Sequence, residues 1–232
     1  LHAEGLPSSA DDGPPPADMA VPALGRLLAT NTTLTSLSFE RASLGDRAAA
    51  ELTSGLTRGH NRSLTDLMMS NAGHGQLTAV AAAAALAGPS KLSRLVLTWG
   101  DLGSDGVTAL GAALGTNKGL QTLDLPGNTR MTPAGLAALA DAIGTHPTLS
   151  AVNLSSLSLA SPDDLLPMLA AMEKSTSLTK VDLDSNAMSI AGVQMLAAVL
   201  RHNCSLQSLS LGEVDFGADG VASLAAAIAV NS

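Results

Sequence analysis

The sequence predicts an α/β solenoid, a curved horseshoe in which short parallel strands form one inner sheet and a helix covers the outside of each repeat. Three observations predict it. The pattern L-x-x-L-x-L recurs seven times, at spacings of 30, 28, 28, 29, 29 and 28 residues. Fifteen or sixteen residues after each opening apolar residue a second pattern starts, with apolar side chains at i, i+3 and i+7. Finally, 46% of the 232 residues are hydrophobic, yet only two Phe, one Trp and no Tyr are present. An interior without aromatic bulk suits many small, equivalent slots filled by Leu, Ala, Val and Met.

Residues 1–20, with Pro14, Pro15 and Pro16 among Ser, Gly and Asp, read as a Pro-rich linker or disordered segment. Residues 21–232 read as the repeat domain. Val21, Leu24 and Leu28 stand where a helix preceding the first strand belongs, making an eighth, partial unit. In each full unit, alternation at the fourth and sixth positions is the period of a strand with one buried face. The later i, i+3, i+7 set is the apolar stripe of a two-to-three-turn helix.

The first unit has Leu34, Leu37 and Phe39, then Ala49, Leu52 and Leu56; its long exit to Leu64 predicts a bulged loop over 57–61. The second has Leu64, Leu67 and Met69, then Ala79, Ala82 and Leu86. It is the weakest, because His74 stands where a Leu is expected and Ala81 to Ala85 lack pattern. Leu92, Leu95 and Leu97 with Val107, Leu110 and Leu114 form the third. Leu120, Leu123 and Leu125 with Leu136, Leu139 and Ile143 form the fourth, and Thr132-Pro133 reads as its N-cap and first helical residue. Leu149, Val152 and Leu154 with Leu165, Met168 and Met172 form the fifth, opened in the same way by Ser161-Pro162. The fourth and fifth each hold one extra residue between strand and helix. Leu178, Val181 and Leu183 with Val193, Leu196 and Leu200 form the sixth, and Leu206, Leu209 and Leu211 with Val221, Leu224 and Ile228 the seventh. No polar capping segment follows, so the natural array is expected to continue or to end in something beyond this sequence.

Over residues 21–230 these units resemble the leucine-rich-repeat family, specifically its ribonuclease-inhibitor-like class of 28 or 29 residues with a helix per repeat. The Asn three residues before the opening Leu, at Asn31, Asn61, Asn117 and Asn203, is similar to that class. Asn tolerates the left-handed conformation that ends a helix, which gives these positions a structural reason. The same positions explain most of the four Asn-x-Ser/Thr acceptors (Asn31, Asn61, Asn153, Asn203) without glycosylation. The sequence departs from the family pattern at the ninth position: only Asn128 and Asn186 match, and Ala42, Ala72, Gly100, Leu157 and Val214 break the ladder.

Composition narrows the function. A formal net charge of −8 with 12 Lys and Arg leaves no basic stripe for nucleic acid or an anionic membrane surface. No apolar run approaches the roughly 20 residues of a transmembrane span. The single Cys204 cannot form an internal disulfide, which favours a reducing, cytoplasmic setting. A phosphate-cradling Gly-rich loop, a His pair at ligand spacing and a Cys pair are all missing, so no catalytic role, cofactor, metal or small-molecule substrate is expected. His2, His60, His74, His146 and His202 read as surface loop residues.

The concave sheet face is then the natural binding surface for a protein partner. Two features stand out from its Ser/Thr background. Trp99 with Met68, Arg94 and Val96 has the composition of an interface hot spot, although Trp99 can equally be a cover for the turn after its strand. Asp124, Asp182, Asp184 and Glu213 form an acidic group that would attract a basic partner or merely stay solvated. The resemblance implies a scaffold in a large intracellular assembly, cytoskeletal or ciliary, or a ligand-sensing array. The alternative is a GTPase-activating protein for a small GTPase, since one branch of the class acts in that way.

Overall fold

A computed structural model describes residues 17–58, 61–159 and 161–231. Each of the seven L-x-x-L-x-L segments forms a strand: β1 (Ser36–Glu40), β2 (Asp66–Ser70), β3 (Arg94–Thr98), β4 (Thr122–Asp124), β5 (Ala151–Asn153), β6 (Lys180–Asp182) and β7 (Ser208–Ser210). They form one parallel sheet in sequence order. Register follows the repeat, so Leu37, Leu67, Leu95, Leu123, Val152, Val181 and Leu209 align across it. From Leu67 to Val181 these side chains are at most 1% exposed, because alternate residues of a strand point to one face and the helices cover that face.

The helices are α1 (Ala17–Thr30), α2 (Asp46–Arg58), α3 (Gln76–Ala87), α4 (Gly103–Thr116), α5 (Pro133–Thr145), α6 (Leu166–Lys174), α7 (Ile190–His202) and α8 (Gly217–Ile228). A 3₁₀ turn, Pro162–Leu165, precedes α6 and takes up the longer connection of the fifth unit. Thr132 caps α5 by accepting from the Gly135 N–H, and Ser161 with Asp164 forms a capping box. The predicted stripes of α2 to α6 are buried. The solenoid therefore stands as the periods predict it.

Several expectations change. Helix α1 starts at Ala17, inside the segment read as linker; residues 1–16 lie outside the described residues. Leu28 is fully buried, while the Val21 and Leu24 side chains lie outside the description. The bulge expected over 57–61 is partly helix, because Thr57 and Arg58 complete α2; residues 59–60 lie outside the described residues. The patternless stretch of the second unit is a regular helix, as alanine's high helix propensity allows. Its small side chains let α4 come close: a Cβ on Gly106 would stand 2.7 Å from Ala79 Cβ. In α8, Val221 and Ile228 are 58% and 61% exposed, so the last predicted stripe is not buried as those of α2 to α6 are.

The recurring Asn is not left-handed. Asn117 and Asn203 are extended, with φ of −67° and −74°. Their role is to bridge repeats: Asn61 Nδ2 donates to Leu28 O, Asn117 Nδ2 to Leu86 O and Asn203 Nδ2 to Met172 O, each 31 to 33 residues away. Their Oδ1 atoms accept the N–H groups of Leu64, Leu120 and Leu206, which start the next strand's turn. Stacked helix ends are thereby satisfied in series. His146 holds the same place in the fifth unit, accepting from Thr148 N and Leu149 N through Nδ1. It is 3% exposed and His74 is 2% exposed, so neither is the surface loop residue expected.

Candidate functional site

The third and fifth positions of each repeat alternate with the buried fourth, and so line the concave face. Register sets Arg94, Thr122, Ala151 and Lys180 in one row across β3 to β6, and Val96, Asp124, Asn153 and Asp182 in the next. Two of the four strands carry only Thr122 and Ala151 in the first row, and the result is a depression of about 310 Å³ lined by both rows except Val96. Arg94 Nη2 stands 3.8 Å from Asp124 Oδ2, with the arginine end exposed and the carboxylate end largely buried. Asn153 Nδ2 donates to Asp182 Oδ2 at 3.1 Å, and Asp182 Oδ1 accepts the Asp184 N–H at 3.0 Å. Burial pushes the Asp124 carboxyl above its ordinary range; Arg94 and Lys180 oppose that shift and Asp182 adds to it.

Two of the residues grouped with Trp99 by composition fall elsewhere. Val96 is 6% exposed, set in register between Met68 and Asp124, and offers no surface to a partner. Arg94 starts β3 and Trp99 follows its end, about 16 Å away at roughly 3.3 Å per residue; Arg94 joins the acidic residues instead. Met68 is half-buried beside Val96. Asp184 and Glu213 lie toward the turn side, each already engaged: Asp184 Oδ1 accepts the Gly212 N–H and Glu213 accepts from Ser185 Oγ at 2.8 Å. Lys180 completes the depression. Its place in the Arg94 column, three repeats on, was the signal for it.

Trp99 sits in a column of unusual backbone. Arg41, Asn71, Trp99, Gly127, Ser156, Ser185 and Glu213, the eighth residues of the seven repeats, all have φ between 46° and 72°. A left-handed residue other than glycine costs about 1 kcal/mol or more. In the first six the conformation persists because it aims the N–H at the next turn: Arg41 N donates to Ser70 O, Trp99 N to Pro126 O and Ser185 N to Gly212 O, at 2.8 to 2.9 Å. The indole lies against the following turn, where a Cβ on Gly127 would come within 2.4 Å of it. The turn-covering role is real, and yet 57% of Trp99 remains exposed.

Among the described residues no helix is long and apolar enough to cross a membrane, and no group of three His, Cys, Asp or Glu is placed to hold a metal ion. A larger groove, about 370 Å³, lies between α7 and α8 and is lined by Met188, Ile190, Val193 and Phe216. Its charged residues are Asp215 and Asp219 alone, whereas the inner depression carries both signs of charge.

Residues 88–111, 116–140, 174–197 and 202–225 match the Leucine Rich repeat family profile. The chain is a leucine-rich-repeat solenoid. The matched stretches span the third, fourth, sixth and seventh strands, and the remaining repeats share their register in the same sheet. Among solved structures, this leucine-rich-repeat chain is similar to leiomodin-1 actin-binding site 2, at 20% identity and a TM-score of 0.46 over 54% of this chain and 71% of that one. It is also similar to the tropomodulin C-terminal domain of Caenorhabditis elegans, at 12% identity and a TM-score of 0.49 over 91% and 92%. Likeness at this level transfers no partner. No curated protein matches the chain.

Proposed function

We propose that this leucine-rich-repeat chain is a binding or scaffold module that holds a protein partner on its concave face and the adjoining turn-side rim. The observation that carries the reading is Trp99. The chain's only tryptophan is more than half exposed on a backbone that the next turn holds rigid. Large aromatic side chains presented in this way are the usual anchors of interfaces, because they bury much area for little lost freedom. The ribonuclease-inhibitor-like class is part of the reading, supported by a helix in every repeat. So is a cytoplasmic location, supported by the single cysteine.

Cross-linking mass spectrometry in native extract identifies the partner. Capture of that partner by Trp99→Ala should then fall by about thirtyfold, the loss of an anchor worth roughly 2 kcal/mol. The double variant Asp182→Lys, Asp184→Lys should weaken capture too, with circular dichroism reporting an unchanged fold. If both variants capture normally while Leu77→Glu and Val80→Glu on the outer face of α3 abolish capture, the concave reading is wrong.

A further inference from the structure

From the depression over β3 to β6 we infer that the partner inserts a segment with one acidic and one basic side chain two residues apart in an extended run. The acidic member lies between Arg94 and Lys180, and the basic member between Asp124 and Asp182. This rests on the concave face being the binding surface, and adds what that surface selects.

Spacing comes first. The two rows are two residues apart along each strand, about 6.6 Å at roughly 3.3 Å per residue, and both face the same side. Side chains at i and i+2 of an extended guest have the same separation and also share a face. The floor supplies the room: between Arg94 and Lys180 stand only Thr122 and Ala151, so a carboxylate lowered there meets two long cationic side chains from either side. Between Asp124 and Asp182 stands Asn153, whose amide already leans onto Asp182 and leaves the Asp124 side to a guest cation.

Charge decides the class. The four charged residues sum to zero, so a uniform polyanion or polycation is repelled by one row as strongly as it is drawn by the other. Little of this charge is neutralised within the fold. The Arg94–Asp124 contact at 3.8 Å is long, and among the described residues neither Lys180 nor Asp182 forms an ion pair. Asp124 is also held above its ordinary range by burial in spite of Arg94 and Lys180, and a guest ammonium or guanidinium relieves that cost.

The test is a displayed library of random octapeptides selected on the intact chain. Enriched peptides should carry an opposite-charge pair at i, i+2 in preference to other spacings. Raising salt from about 0.1 M to about 1 M, which shortens the Debye length from roughly 10 Å to 3 Å, should release them. With Arg94→Glu and Lys180→Glu the acidic member of the motif should give way to a second basic one, and the original peptides should bind about fivefold to tenfold more weakly. Salt-insensitive capture, or a motif that the charge variant leaves unchanged, overturns the inference, as does a library yielding no peptide. Peptides that depend on Trp99 and ignore the four charges overturn it while leaving the concave reading intact. Peptides lost only with Leu77→Glu and Val80→Glu overturn both.

Discussion

Helix α3 opens on Gly75, which has no side chain to cap it, and its first N–H groups are satisfied from the preceding repeat. Asp46, the first residue of α2, accepts Gly75 N at 2.7 Å and Thr78 N at 2.9 Å on Oδ1, and Leu77 N at 2.9 Å on Oδ2. Thr78 Oγ1 donates to the same Oδ1 at 2.8 Å. One carboxylate thus serves three backbone donors and a hydroxyl, where an ordinary cap serves one. Losing an ordinary cap to alanine costs about 1 kcal/mol. Loss of the negative charge at the helix N-terminus adds about 0.3–1 kcal/mol. Gly75 and Thr78 are buried, so their stranded donors cost about 1 kcal/mol or more together. Asp46→Ala is therefore expected to destabilise the chain by about 3 kcal/mol. Asp46→Asn should lose about half of that by the same reckoning, since its oxygen still accepts while its NH₂ faces the Leu77 donor. Urea unfolding measures the total. Amide hydrogen exchange locates it, with protection expected to fall first at Gly75, Leu77 and Thr78. A loss below about 0.5 kcal/mol, or exchange that rises evenly along the chain, would refute the cross-repeat cap.

Three further outcomes follow from other buried polar groups. Neither ring nitrogen of His74 makes a hydrogen bond, and the adjacent repeats place Leu44 and Leu102 at the same position, so His74→Leu should raise stability by about 1–2 kcal/mol in urea unfolding. Burial lowers the proton affinity of His74 and, with Lys118, of His146. The folded state then binds protons less readily than the unfolded chain, whose histidines titrate near 6.5. Stability should be full above that pH and fall as the pH drops through the lowered values, by up to about 1.4 kcal/mol per pH unit for each group. Unfolding at pH 7.5 and 5 checks this, His74→Leu should flatten the slope, and equal stability at both pH values would sink it. Asn186 donates to Leu154 O and Leu183 O and accepts from Leu157 N, so Asn186→Ala should cost about 2–3 kcal/mol; a neutral result in urea would show that the neighbouring turns satisfy themselves.

The broken ninth-position ladder shows how far the residue pattern reaches. Gly100, in an Asn position, is the residue that admits the His74 ring: a Cβ there would stand 2.5 Å from Nε2. The two departures, a missing Asn and a His in a Leu position, are a single local rearrangement. Each was visible in the sequence, but their pairing was not, because they lie 26 residues apart and meet only when two repeats stack. The candidate site divides in the same way. Asp124, Asp182 and the shared column of Arg94 and Lys180 were legible as concave, while the burial of Val96 and the depression between the two cations needed the packed structure.

Strand and helix positions, the buried face of each and the order of the sheet were determined by the sequence alone. The reason is that side-chain direction repeats every two residues in a strand and every 3.6 in a helix, which is a property of the local backbone. The tertiary structure decided which side chains meet across repeats: Asp46 with the start of α3, His74 beneath Gly100, Trp99 over Gly127, and the two charged rows of the depression. Those contacts join residues about one repeat or more apart, and the few ångströms on which they depend are set by how successive turns pack.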